Sequence, residues 1–169
     1  MYKEKFAANL AIEEMKPEHL PEIVAIVNET DIPPWTKGIF CRELNIPFSR
    51  SLVCRVWSSG QSITAGFICF WIVAGEVQLQ NLAVRRDMRR RGIASRLMEE
   101  MFREAKARGA GRITLELRQS NCEAGALYRK FGFASEGVRK GYYGGGDGAA
   151  LILWADLAGN GKTGDGNDR

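Results

Sequence analysis

Histidine is nearly absent from this chain of 169 residues: His19 is the only one. Cysteine occurs four times, at positions 41, 54, 69 and 122, and no two of them form a C-x-x-C pair. One imidazole and scattered thiols leave a zinc site or a dithiol centre without a donor set, so no metal is expected. Long apolar runs are also missing. The most apolar stretch, Ala65 to Ala74, is half the length of a membrane span of about 20 residues. No apolar signal core follows Met1-Tyr2-Lys3-Glu4-Lys5. These absences predict a cytoplasmic protein with free thiols and no membrane partner. Charge imbalance is small too. Lys and Arg number 24 against 20 Asp and Glu, a net of +4. The run Arg85-Arg86-Asp87-Met88-Arg89-Arg90-Arg91 carries all of it, five arginines against one aspartate, so the remainder is neutral. One basic spot suits a compact anion and argues against nucleic acid as the partner.

What is present is enough apolar residue for a core. Leu, Ile, Val and Phe make up 41 of 169 positions, above the roughly 20% below which chains stay disordered. The length fits one domain. Residues 1–157 read as that domain, folded from about residue 7. The glycine-rich tail 158–169 has almost nothing apolar and reads as disordered.

Strand and helix signals alternate along the chain. Leu10 and Ile12 suggest a short strand. Pro17 opens a helix with Leu20, Ile23, Val24 and Val27 on one face, and His19 falls on its expected surface side. Thr36 is placed to cap a second helix carrying Ile39, Phe40 and Leu44. Residues 51–57, 62–73 and 77–84, joined by short turns, predict an antiparallel meander. Ile93, Ala94, Leu97, Met98, Met101, Phe102 and Ala105 repeat as one helical face, which Gly109 ends. Ile113, Leu115 and Leu117 alternate as a strand. Ser120-Asn121-Cys122-Glu123 resembles a capping box for a helix running to Lys130, and Cys122 at its start is expected to be buried rather than a reactive thiol. Strands over about 133–142 and 149–157 finish the domain. The result is an α/β (α+β) chain of order βααβββαβαββ, a mixed sheet with helices on both faces.

The most informative junction is Leu82-Ala83-Val84, the arginine run, then Gly92-Ile93-Ala94. A strand ends and a long helix begins on small residues, which leaves the N–H groups of its first turn open to an anion such as a pyrophosphate. The same residues also describe a plain helix start with solvated arginines. A dinucleotide-binding reading requires G-x-G-x-x-G after a parallel strand, and a P-loop requires Gly-Lys-Ser/Thr; neither is present. Gly144-Gly145-Gly146-Asp147-Gly148 precedes no helix and reads as a hairpin loop.

Arg89-x-x-Gly92-x-Ala94 resembles the Q/R-x-x-G-x-G/A acetyl-coenzyme A motif of the GNAT acetyltransferases. The likeness runs from about Pro33 to Leu157. It is greatest to the ribosomal-protein-alanine N-acetyltransferases, through Pro34-Trp35-Thr36, Asn81 to Val84, Leu115-Glu116-Leu117-Arg118-Gln119-Ser120-Asn121, Ala126-Leu127-Tyr128 to Gly132-Phe133, and Arg139-Lys140-Gly141-Tyr142-Tyr143. The glycine run 144–146 and the tail depart from that pattern. The resemblance implies the GNAT fold, a mostly antiparallel sheet of about seven strands, and transfer of acetyl from acetyl-CoA to an amine. It implies that Leu82, Ala83 and Val84 hold the thioester arm and that Arg89, Arg90, Arg91, Gly92, Ile93 and Ala94 cradle the pyrophosphate, with Asn121 also touching the coenzyme. Glu116 becomes the candidate base, Tyr128 the candidate acid, and Trp35, Tyr142 and Tyr143 candidate walls for the acceptor. The implied acceptor is a protein N-terminus, alanine first, of a small-subunit ribosomal protein. A small amine, a lysine side chain, or a non-enzymatic module binding coenzyme A or RNA are the rival readings.

Overall fold

A computed structural model gives the fold and describes residues 10–30, 35–58, 60–140 and 148–157. Tyr142, Tyr143, the glycine run 144–146 and the tail 158–169 lie outside the described residues.

Strands β1 (Leu10–Glu14), β2 (Ser49–Ser58), β3 (Gln61–Val73), β4 (Glu76–Val84), β5 (Arg112–Arg118), β6 (Ala134–Arg139) and β7 (Ala150–Asp156) form one seven-stranded sheet. Its order is β1-β2-β3-β4-β5-β7-β6, and only the β4–β5 pair is parallel. The expected meander is present. Its tight β3–β4 turn works because Ala74 and Gly75 both take positive φ, 51° and 79°, which matches the twist of the strands it joins.

Helices α1 (Leu20–Asn28) and α2 (Lys37–Glu43) cover one face, and α3 (Ile93–Ala107) and α4 (Cys122–Lys130) the other. Strand alternation feeds both layers. Leu52, Cys54 and Val56 join the α3 side, while Val53, Phe67 and Cys69 join Leu20, Ile23, Phe40 and the α1–α2 side. Ile93, Leu97, Met98, Met101 and Ala105 of α3 are all buried. Each large one contributes about 1.5–3 kcal/mol by leaving water.

Three local expectations are corrected. His19 is buried, not on the surface side. It sits in a 3-10 turn, Pro17–His19, whose tighter winding turns the ring inward. There its Nδ1 accepts the Lys16 N–H at 3.0 Å and its Nε2 lies 3.4 Å from Glu13. Helix α4 is capped by Asn121 and not by Ser120: the Asn121 side chain accepts the Ala124 N–H at 3.1 Å. Cys122, expected to be buried, is exposed because it occupies the first turn beyond that cap.

Candidate active site

The parallel ladder between β4 and β5 is short. It runs from Glu76–Arg112 to Leu79–Leu115 and stops there. Gln80, the next residue of β4, is an extra residue with no register partner on β3: Leu79 faces Phe70 and Asn81 faces Cys69. Such a bulge bends its strand and increases its twist. Beyond it, Leu82, Ala83 and Val84 stay paired to β3 through Ile68, Phe67 and Gly66, while β5 stays paired to β7 through Arg118. The two strands therefore part, and the edge of β4 that faces β5 keeps its backbone groups available.

Gly66 makes the far end of β4 possible. A Cβ at this position would stand 2.8 Å from the Ala83 carbonyl oxygen and 3.2 Å from Ile93 and Val84 side-chain carbons. The Arg85 N–H then donates to the Ala65 carbonyl at 2.9 Å, locking the strand exit. A lone glycine within a strand was the available signal for such a close approach.

The arginine loop follows. Arg90 and Gly92 take positive φ, 61° and 82°. Gly92 is the N-cap of α3 and no side chain caps the helix, so its first-turn N–H groups remain open, with the positive end of the dipole behind them. Nothing lies within 4 Å of where a Gly92 Cβ would stand. The loop and helix start thus fit a phosphate group. The arginines have different roles here. Arg89 folds back, its Nε donating to the Val84 carbonyl at 3.1 Å, and Arg85 pairs with Asp87 at 2.8 Å. Arg90 is largely exposed and its Nη1 lies 3.7 Å from Glu123 of α4, joining the loops that follow the two diverging strands.

Tyr128 is fixed from both ends of α4. Asn121 caps the start, and Gly132, at φ 82°, turns the end. The Gly132 N–H reaches Arg129 O and the Phe133 N–H reaches Tyr128 O, the paired bonds of a Schellman turn. Phe133 then packs on the Tyr128 ring, centroids 5.7 Å apart. The tyrosine is buried among Leu115, Leu117 and the α3 residues.

Glu116 lies on the opposite face of β5 from Leu115 and Leu117, as its alternation requires. Its Oε1 is 2.9 Å from Nη1 of Arg139 on β6, and the carboxylate side chain keeps 32% of its exposure. Trp35 packs half-buried against the α1–α2 core, 5.3 Å from Phe40. Arg139, in the stretch that leads to Tyr142-Tyr143, has no role legible in the sequence, because its pairing depends on strand order. Cys54 and Cys69 make poor nucleophiles, since burial pushes each thiol up to about 12. Among the described residues, no group of three His, Cys, Asp or Glu side chains is placed to hold a metal. No helix of the described residues is long and apolar enough to cross a membrane.

Comparison with known proteins agrees with this geometry. The model of the acetyltransferase (GNAT) family matches residues 12–133. A Bacillus subtilis (strain 168) protein, provisionally named a [ribosomal protein bS18]-alanine N-acetyltransferase, is 32% identical over 148 residues, covering 87% of this chain and 95% of its own. The crystal structure of the ribosomal-protein-S18-alanine N-acetyltransferase from Escherichia coli superposes with a TM-score of 0.78 at 27% identity, over 91% of this chain and 97% of that one. An N-acetyltransferase from Thermoplasma acidophilum in complex with coenzyme A shares the fold, with a TM-score of 0.70 at 18% identity over 87% of this chain and 98% of that one.

Proposed function

The chain belongs to the GNAT acetyltransferase family, and on that premise we propose that it moves acetyl from acetyl-CoA to the N-terminal α-amine of a protein, alanine first, with a ribosomal protein as acceptor. The observation that carries the reading is the parting of β4 from β5 beside an uncapped α3, with Glu116 on the open sheet face at the same level. The relatives named for alanine N-acetylation of bS18 support the choice of amine.

In this reading the free edge of β4 at Leu82–Val84 takes the pantetheine arm and the carbonyl of the acetyl group. The N–H groups from Arg89 to Ala94 take the pyrophosphate, and Asn121 borders the coenzyme. The cosubstrate supplies an activated acyl group on sulfur. The chain supplies the proton traffic. An α-ammonium has a pKa of about 8, so most of it must shed a proton near neutrality before its nitrogen can attack. Glu116, directly or through water, takes that proton. The new N–C bond forms, the C–S bond breaks, and Tyr128 returns a proton to the departing thiolate. Donors held on the carbonyl oxygen are worth roughly 3–4 kcal/mol each in other acyl-transfer enzymes. Trp35, Tyr142 and Tyr143 would wall the acceptor groove.

The test is acetyl-CoA turnover on an alanine-starting peptide compared with its N-terminally blocked form. Turnover on the free peptide and none on the blocked one is expected. Equal turnover on both would contradict the α-amine assignment.

A further inference from the structure

We propose that Arg139 is a positioning residue for the acceptor amine: its guanidinium holds one oxygen of the Glu116 carboxylate and leaves the second to receive the acceptor's proton. The inference rests on the reading of Glu116 as the base.

The register makes the contact specific. Glu116 lies directly opposite Ile152 on β7, and Arg139, on the other side of β7, lies opposite Ala150. The pair therefore spans two strand spacings and a two-residue offset, roughly 12 Å between α-carbons. Only a long side chain crosses that distance, and the β7 residues on this face between the two are Ala150 and Ile152. Nη1 meets Oε1 at 2.9 Å.

Among the described residues, the strands beside Glu116 bring the following side chains to the same face. Strand β7 brings Ala150 and Ile152 to it near Glu116, and neither is charged. Arg112 lies four residues back along β5. It is engaged by Glu136 at 2.6 Å and Asp156 at 2.9 Å and rests 4.3 Å over the Trp154 ring. Arg118 is two residues on and shares the face.

As a stability device the contact is unpromising. Both side chains keep much of their exposure, 52% for Arg139 and 32% for Glu116, and exposed ion pairs contribute little to folding. What the guanidinium does accomplish is geometric. A flexible glutamate on an open sheet face would otherwise sample several rotamers, and a base must sit within hydrogen-bond reach of the proton it takes.

The test is a double-mutant cycle on the full chain, using R139Q, E116Q, the double variant and R139K. Each is measured for steady-state turnover with acetyl-CoA and an alanine-starting peptide, for acetyl-CoA affinity by calorimetry, and for Tm. R139Q should lower kcat about tenfold while acetyl-CoA affinity holds and Tm moves by no more than a few degrees. R139K should recover part of the loss. In the E116Q background, R139Q should cost almost nothing further. The same factor lost in both backgrounds, or wild-type kcat in R139Q, overturns the proposal for Arg139 alone. Wild-type turnover in E116Q overturns the base reading itself, and the inference with it.

Discussion

Tyr128 and Phe133 are tied twice, by the Phe133 N–H donating to the Tyr128 carbonyl at 3.1 Å and by their rings packing 5.7 Å apart. The candidate acid is thus the last hydrophobic anchor of a helix end, held in place by a glycine-turned cap. Its ring would stay where it is if the hydroxyl were removed. Tyr128→Phe should therefore fold normally and bind acetyl-CoA with similar affinity. If the hydroxyl protonates the thiolate, turnover falls by roughly 10²–10⁴-fold. Single-turnover kinetics decide the matter, and a near-normal chemical step would return Tyr128 to a packing role.

Gly92 offers the sharpest handle on the coenzyme. Its φ of 82° and the empty space around it mean that a side chain there strains the backbone by about 1–2 kcal/mol but meets no neighbour. Gly92→Glu should keep its circular dichroism spectrum and lose acetyl-CoA binding, because it sets a carboxylate in the proposed pyrophosphate site. Gly92→Ala, with the strain alone, should retain measurable binding. Unchanged affinity of the glutamate variant in calorimetry would remove this loop from the coenzyme site.

Gly66 is a different kind of glycine, with ordinary backbone and no room. Gly66→Val must push the Ala83 carbonyl away, and overpacking of this sort costs about 1–3 kcal/mol. The expected result is a lower Tm together with weaker acetyl-CoA binding, since the strand displaced is the one whose free edge is proposed to hold the thioester arm. Loss of stability with full coenzyme affinity would separate Gly66 from the site.

Glu22 gives a pH signature. Its burial works to raise the carboxyl, but the Thr64 N–H at 2.7 Å and the Arg55 guanidinium at 2.7 Å outweigh that and hold it below the usual carboxylate range. The unfolded chain then binds this proton more readily than the folded one. The stability it provides is present above the ordinary carboxylate pKa and is lost as pH falls through the lower folded value. Glu22→Gln should lower Tm at pH 7 and flatten the decline of Tm below about pH 5. A parallel decline in both proteins would show that the group is not linked to folding.

The large-scale fold was legible because its signals are local. The α3 repeat from Ile93 to Ala105, the meander turn at Gly75 and the alternation that turns Glu116 away from Leu115 and Leu117 all lie within a few residues of sequence. The motif Arg89-x-x-Gly92-x-Ala94 marked the helix start for the same reason. Contacts that depend on strand order were not legible. Arg139 reaches Glu116 only because β7 is inserted between β5 and β6 with a particular register. The inward turn of His19 depends on a 3-10 turn that helical periodicity does not encode. The bulge at Gln80 has no residue signature, yet it bends the strand where the site opens. Cys122 is exposed because it stands in the first turn of α4 between Asn121 and Glu123, a placement that the usual burial of cysteine does not anticipate.

The identity of the acceptor amine is the central claim, and a peptide panel read by mass spectrometry tests it most directly. One sequence is presented in two forms, with a free N-terminal alanine and no lysine, or with a blocked N-terminus and one internal lysine; a free small amine completes the set. An α-amine with pKa about 8 is neutral roughly 200-fold more often near pH 7.5 than a lysine with pKa about 10.4. A single carboxylate such as Glu116 therefore has far less to do on the α-amine. The account predicts acetylation at the alanine nitrogen well ahead of the other two, with E116Q losing most activity at the lowest pH of the range. Preference for the internal lysine or the small amine would contradict it.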